Sequence, residues 1–139
     1  MTTKEWLLRG WKIDSEIEAL QELRDEAWSQ LTSATQKLDG VAVQGFKNPH
    51  KFDRVTELDE KIVKRIDELV GIKQEILTAI LQVKDRRYRT ILMDRYVRFK
   101  TWERIAVDDG YNIRHIWRLH GEALQAITPY TERQKDRGQ

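Results

Sequence analysis

An apolar residue recurs at every seventh position between residues 55 and 83, a series formed by Val55, Ile62, Leu69, Ile76 and Val83. A second apolar series interleaves with it at Leu58, Ile66, Ile72 and Ile80. A 3.5-residue repeat keeps one stripe of a helix facing a partner helix as the two supercoil. The repeat therefore predicts a long helix from Asp53, a plausible N-cap, to about Lys84.

A second long helix is predicted over residues 4–38. Its apolar positions follow a 3/4 spacing and are Trp6, Ile13, Ile17, Leu20, Leu23, Ala27, Leu31, Ala34 and Leu38. Between the two helices, residues 39–52 contain turn formers at Asp39-Gly40, Gly45 and Asn48-Pro49. We therefore predict an all-α chain in which residues 1–84 form a long, coiled-coil-like antiparallel helical hairpin with a loop at about 39–52.

A hairpin of only two helices has a thin core. The apolar stripes along its two helices, here called the seams, therefore favour burial against further helices. The simplest arrangement is a homodimer through the N-terminal helices, which buries both hairpins in a four-helix bundle. Pairing of the heptad helix with its own copy in a second chain is an alternative. Sedimentation equilibrium at micromolar concentration tests this expectation, and a monomer mass contradicts it.

The sequence changes character after Asp85, and residues 85–128 predict a helix-turn-helix module. A helix is predicted over residues 86–98, and Thr101 is placed to cap a second helix. Two steeply crossing helices need a small residue at their contact and a left-handed residue in the turn, and Ala106 and Gly110 have the corresponding spacing. The second helix also needs branched apolar residues that face the first, and Ile116 and Leu119 are placed for this. Asn112 is predicted to cap the third helix, over residues 112–127, which this motif would place in the major groove of DNA. Pro129 is predicted to end it and to leave residues 129–139 as a flexible tail.

The outward face of that third helix predicts the DNA-contacting residues. Ile116, Leu119 and Ala123 would face inward, so the base-reading candidates are Ile113, Arg114, His115, Trp117 and Arg118. The phosphate-contacting candidates precede them and are Lys100, Thr101, Arg104 and Asn112. Further arginines between residues 86 and 98 make the electrostatic potential of this part of the chain more positive. Two structural alternatives stay open: Trp117 packing on the long helices, and Arg118 pairing with Glu122. Trp102 is expected in the core.

Charge points to the same end of the chain. The net charge is +2, but residues 84–139 carry 13 Lys and Arg against 8 Asp and Glu, a balance of +5. A basic C-terminal part indicates that a polyanion is met there. The chain has no cysteine, its three histidines show no i, i+3 or i, i+4 pairing, and it has no glycine-rich phosphate-binding motif. We therefore expect a cytoplasmic protein that is not an enzyme, holds no metal or cofactor, and has no signal peptide or membrane span.

The run RTILMDRYV…TWERIA…GYNIRHIWRLHGEAL resembles the C-terminal helix-turn-helix of bacterial sigma factors, the region-four-like module that reads the −35 promoter element. It is more similar still to phage and prophage transcriptional regulators of the ArpU/RinA type, best over residues 86–127. The resemblance implies control of phage late genes in a bacterial host, with RNA polymerase as a further candidate partner. Sigma factors usually carry Arg, Glu and Gln at the base-reading positions, whereas this chain has Ile113, Trp117 and Arg118, so no base preference carries over.

Two other functions combine similar elements. A DNA-packaging recognition subunit of the small-terminase type also joins helical oligomerisation to a helix-turn-helix, although its DNA-binding module usually comes first. An adaptor would use the sigma-like module to bind RNA polymerase and not DNA. A ring-shaped oligomer favours the first alternative, and retention by polymerase without promoter binding favours the second.

Overall fold

A computed structural model describes residues 1–36 and 49–137, with the side chains of 33–36 and 49 left aside. In this part the chain forms six α-helices, which are α1 (Thr3–Leu8), α2 (Ile13–Gln36), α3 (Pro49–Leu81), α4 (Arg86–Tyr96), α5 (Trp102–Asp109) and α6 (Ile113–Arg137). The predicted all-α class is confirmed for these residues. Most of the predicted loop, including Asp39-Gly40, Gly45 and Phe46, lies outside the described residues, as do Leu38 and the side chain of Ala34.

The long heptad helix begins earlier than the sequence predicted. Helix α3 starts at Pro49, so residues 49–52 are helical and Asp53 lies inside the helix instead of capping it. Proline suits the first helical position because its missing N–H would have no partner there and its fixed φ is already helical. The heptad positions Ile62, Leu69 and Ile76 are buried along α3.

Residue contacts divide the chain into two compact units, and the division differs from the predicted one at residues 84 and 85. One, here called the terminal unit, combines Met1–Ile13 with Gly71–Gln139. The other, the central unit, is Asp14–Val70. The two divisions differ because the first helix and the end of α3 belong to the same apolar core as the C-terminal helices. That core contains Trp6, Leu7, Ile76, Ala79, Ile80, Val83, Leu92, Tyr96, Ala123 and Ile127.

The predicted continuous helix 4–38 is broken between Leu8 and Ile13, which is a second correction. Thr2 and Glu5 close a capping box at the start of α1, and Lys12 takes a left-handed φ of 61° where the chain turns. Gly10 is buried at this turn, where an added Cβ would lie 3.1 Å from Ile76 Cδ1 and 3.4 Å from the Tyr96 carbonyl oxygen. Burial of Trp6 and Leu7 in the terminal core explains why the chain turns away from a straight helix.

Helix α6 continues through Pro129, so the predicted stop there is wrong. Residues 129–137 are helical and not a flexible tail, and Thr131 and Gln134 are buried. The Thr3 and Thr128 hydroxyls lie 2.9 Å apart, and Lys135 Nζ donates to the Met1 carbonyl oxygen at 3.1 Å. Proline removes one backbone hydrogen bond, but burial and these contacts with the N-terminal segment offset that loss.

In the central unit, α2 and α3 contact each other in antiparallel sense. Arg24 and Trp28 both donate to Asp59 Oδ1, and Glu16 pairs with Arg65 at 3.2 Å. The pairing lowers the pKa of Asp59, chiefly through the hydrogen bond from Arg24. Among the described residues predicted on the apolar seams, two are exposed: Leu23 by 52% and Leu58 by 44%.

Candidate nucleic-acid interface

Helices α5 and α6 are bounded by the capping residues that the sequence predicted. Thr101 Oγ1 accepts the Arg104 N–H at 3.1 Å, and Gly110 adopts φ 71° at the C-terminal end of α5. The Tyr111 N–H then returns to the Ala106 carbonyl oxygen at 3.0 Å. Asn112 Oδ1 accepts the His115 N–H at 2.9 Å at the start of α6. Only two residues, Tyr111 and Asn112, separate Gly110 from α6, so the turn is tight.

The inward face of α6 is apolar and packs against α4 and α5. Ile116 and Leu119 form one cluster with Ile105, Ala106 and Ile91, and Tyr88 and Trp102 cover its edge. Ala123 continues the face into the larger terminal core. Trp102, expected in the core, is half-buried at the edge of this cluster. The rotation of α6 is thus fixed by buried side chains on one side of the helix.

The opposite face of α6 carries the predicted base-reading residues. Arg114, Trp117 and Arg118 are exposed, with Trp117 at 52%, whereas Ile113 and His115 are half-buried. Trp117 is therefore not packed in the core, and Arg118 does not pair with Glu122 in this structure. Glu122 instead accepts the Tyr88 hydroxyl at 2.9 Å.

A short chain of contacts orders the start of this exposed face. Arg118 Nη2 lies 2.9 Å from His115 Nδ1, and the His115 ring meets the Tyr111 ring edge-on at 4.6 Å between centroids. Because a guanidinium only donates, this contact makes Nδ1 the acceptor and leaves the ring N–H at Nε2. The imidazole and the guanidinium therefore present hydrogen-bond donors side by side.

Three predicted phosphate-contacting residues, Lys100, Thr101 and Arg104, lie at the start of α5, and Asn112 lies directly before α6. The four differ in availability. Lys100 Nζ lies 3.0 Å from Asp108 Oδ2 and 3.5 Å from the buried carboxylate of Asp94. The hydrogen bond to Asp108 raises the pKa of Lys100 and lowers that of Asp108. Arg104 reaches Asp108 at 3.3 Å, and its side chain is 69% exposed. Thr101 and Asn112 already use their oxygens as caps.

The arginines between residues 86 and 98 are mostly structural. Arg95 lies over the Trp102 ring, 4.5 Å from its centroid, and donates to the Lys100 carbonyl oxygen at 3.0 Å. Arg89 donates to the Val83 carbonyl oxygen at 2.8 Å, and Arg87 pairs with Asp85 at 3.0 Å. These three side chains hold the two ends of α4. Arg86 and Arg98 are exposed.

Behind the exposed face lies a buried polar pair that the sequence did not indicate. Tyr96 Oη and His120 Nε2 lie 2.6 Å apart, and the Trp102 ring meets the imidazole edge-on at 4.6 Å between centroids. Burial lowers the pKa of His120 to about 4 and raises the pKa of Tyr96 to about 12. Both side chains are therefore neutral near pH 7, which suits an enclosed hydrogen bond.

Two exposed residues near the turn were also missed by sequence reasoning. Val107 is 77% exposed at the end of α5, and Tyr111 is exposed beside His115. The position of Tyr111, directly before the N-cap residue Asn112, was the available signal, because residues there lie beside the exposed start of the helix.

Comparison with protein-family models, with curated proteins and with solved structures finds no match to this chain. Within residues 1–36 and 49–137, no helix has both the length and the apolar character that a bilayer crossing needs.

Proposed function

We propose that the chain is a sequence-specific regulator that binds double-stranded DNA, with α5 and α6 as a helix-turn-helix and α6 in the major groove. One observation carries the proposal: α6 has a buried apolar side at Ile116 and Leu119 and an exposed side at Arg114, Trp117 and Arg118. The left-handed turn at Gly110 directly precedes it. Regulation of phage late genes is the part of the proposal that rests on the resemblance to ArpU/RinA-type regulators.

The exposed groups suit the chemistry of base edges. An arginine can donate two hydrogen bonds to O6 and N7 of guanine, so Arg114 and Arg118 are the proposed specificity contacts. The contact from Arg118 to His115 restricts that guanidinium before DNA arrives, which reduces the entropy lost on binding. Trp117 and Ile113 would contact apolar groups such as the thymine methyl.

Phosphate contacts are proposed for the ends of the same helices. Arg104 is the strongest candidate, because an ion pair as exposed as the one it forms with Asp108 adds little to stability and can be exchanged for a phosphate. Thr101 and Asn112 can still donate from a hydroxyl and an amide. Lys100 contributes least, since its charge is already shared between Asp108 and the buried Asp94.

The proposal is tested by selecting bound fragments from genomic DNA and measuring affinity by gel shift across a salt series. The variant Arg114→Ala/Arg118→Ala is expected to lose at least about tenfold in specific affinity, because one bidentate arginine is worth about 1–3 kcal/mol. The control Arg133→Ala/Arg137→Ala removes the same charge from exposed positions on the same helix. It should keep the sequence preference of the parent chain. The logarithm of affinity should fall linearly with the logarithm of salt concentration as counterions are released.

Equal loss in both double variants would contradict base reading by α6 and leave only a general electrostatic attraction. Unchanged specific binding by Arg114→Ala/Arg118→Ala would show that the recognition surface lies elsewhere. Retention by RNA polymerase without DNA binding would favour the adaptor function, and a ring-shaped oligomer on DNA would favour a packaging subunit.

A further inference from the structure

The central unit has an exposed apolar patch formed by Leu23 on α2 and Leu58 on α3. The two leucines lie at the same level, because the residues that follow them, Arg24 and Asp59, form an ion pair. They also lie on the same side of the helix pair. Glu16 and Arg65, each seven residues away along its own helix, contact each other on that side. The patch is therefore one surface and not two isolated leucines.

The charges beside the patch differ between the two helices. Exposed acidic residues flank Leu23, at Glu16 and Glu26. Exposed basic residues flank Leu58, at Arg54, Lys61 and Arg65. Each of these lies three, four or seven residues from its leucine and so faces the same way. One edge of the surface is acidic and the other is basic.

A surface with this pattern is complementary to a second copy of itself. A two-fold axis running along the helices places α2 of one chain over α3 of the other in antiparallel sense. Leu23 then meets Leu58 of the second copy, and the acidic edge of each chain faces the basic edge of the other. One turn along, a groove of about 270 Å³ continues the patch, lined by Ala27, Gln30, Leu31, Lys51, Arg54 and Val55.

We propose that this Leu23–Leu58 surface binds a second copy of the chain and forms a four-helix dimer. This proposal is independent of DNA binding, because the Leu23–Leu58 surface lies in the central unit and α6 lies in the terminal unit. A dimer would also carry two copies of the proposed reading helix, which suits a DNA target with two-fold related half-sites. Failure of either proposal leaves the other intact.

Sedimentation equilibrium of the full chain between about 1 and 100 µM tests the surface. We expect a mass approaching twice the chain mass of 16.6 kDa. Leu23→Glu and Leu58→Glu should each raise the dissociation constant at least tenfold, because a charge would be buried at the centre of the interface. The matched control, Val107→Glu, places the same charge at an exposed apolar position of the terminal unit and should leave the dimer unchanged.

A charge exchange gives a readout that a folding defect would not mimic. Glu26→Arg and Arg54→Glu should each weaken the dimer, and the chain with both changes should recover it, since the acidic and basic edges are exchanged together. A parent chain that stays monomeric at 100 µM overturns the proposal. A dimer that survives Leu23→Glu and Leu58→Glu also overturns this surface.

A second inference comes from the glycines and rests on the proposed DNA-binding function. Four glycines lie in the described residues, and two have a structural reason: Gly10 is enclosed and Gly110 has positive φ. Gly71 and Gly121 have neither, because a Cβ added at either would meet nothing within 4 Å. Glycine inside a helix is less stable than alanine, so an open helical glycine lacks an intramolecular explanation.

Gly121 differs from Gly71 in what surrounds it. It is exposed on α6, three residues after Arg118, four after Trp117 and seven after Arg114. Helical residues at these spacings share one face. We infer that Gly121 leaves bare helix backbone on the reading face so that the DNA backbone can approach α6 closely. A side chain at this position would hold the two apart.

Comparing Gly121→Ala with Gly71→Ala separates the effect of losing a glycine on helix stability from its effect on DNA binding. Both should raise the Tm by about 3 °C, because alanine is the better helix former. Only Gly121→Ala should weaken DNA binding, by about tenfold, with a larger loss for Gly121→Leu. If Gly121→Leu binds as the parent chain does while Arg114→Ala/Arg118→Ala does not, close approach is wrong and DNA reading stands. If none of these changes affects binding, the recognition surface itself is wrong.

Discussion

Replacing Trp6 with alanine is expected to lower the free energy of unfolding by about 3–5 kcal/mol, a large part of the stability of a small domain. Trp6 is 2% exposed and packs in the terminal core, with the Arg9 guanidinium 4.5 Å from its ring centroid. The substitution removes a large apolar surface and leaves a cavity that the helices around it can fill only in part. Urea unfolding followed by circular dichroism measures the loss.

Trp11→Ala is the matched control for this prediction. Trp11 lies five residues further along and is 48% exposed, with an edge contact to Phe99 at 5.1 Å between ring centroids. Its removal should cost about 1 kcal/mol or less, because little buried surface is lost. Equal losses for the two variants would contradict the placement of α1 in the core of the terminal unit. The same comparison tests whether the first helix belongs with the C-terminal helices.

Acidification from pH 7 to pH 4.5 is expected to destabilise the terminal unit through His120. The folded chain holds the pKa of this imidazole at about 4 by burial, whereas an unfolded histidine titrates near 6.5. Between those values the unfolded chain binds the additional proton, so stability falls as the pH drops from about 6.5 to about 4. Above pH 6.5 the full contribution is present. The loss between pH 7 and pH 4.5 is roughly 2–3 kcal/mol, since each pH unit between the two pKa values contributes about 1.4 kcal/mol.

His120→Gln separates this effect from other acid-sensitive groups. Glutamine stays neutral and can still hydrogen-bond to Tyr96, so the pH dependence between 6.5 and 4.5 should flatten. Asp108 and Asp85 have lowered pKa values because of their hydrogen bonds with Lys100 and Arg87, so their contributions are lost only below about pH 4. Urea midpoints at four pH values measure both chains. An unchanged slope in His120→Gln would show that another group controls the acid transition.

Features set by a few neighbouring residues were predictable from the sequence. Thr101 and Asn112 cap their helices, and Gly110 takes the left-handed turn, because each geometry depends on backbone groups within about four positions. The burial of Ile116, Leu119 and Ala123 also followed from helical periodicity. The same local rules predicted the exposure of Arg114, Trp117 and Arg118, but not that Ile113 and His115 are half-buried.

Features that depend on distant partners were not predictable in the same way. Local rules end a helix at Pro129, but the contacts of Thr128 with Thr3 and of Lys135 with Met1 show that the N-terminal segment stabilises α6 there. The turn at Gly10 similarly depends on Ile76 and Tyr96, more than 60 residues away. Nor does charge alone separate the exposed Arg104 from Lys100, which is held between two carboxylates.

The sequence by itself therefore determined the helical class, the caps of α5 and α6, and the two faces of the proposed reading helix, since periodicity and capping act over one or two turns. The tertiary structure decided which helices share a core, that α6 runs to Arg137, and which cations remain exposed. It also decided that Leu23 and Leu58 stay exposed on the surface of the helix pair. These outcomes depend on burial among residues far apart in the chain, which no local pattern encodes.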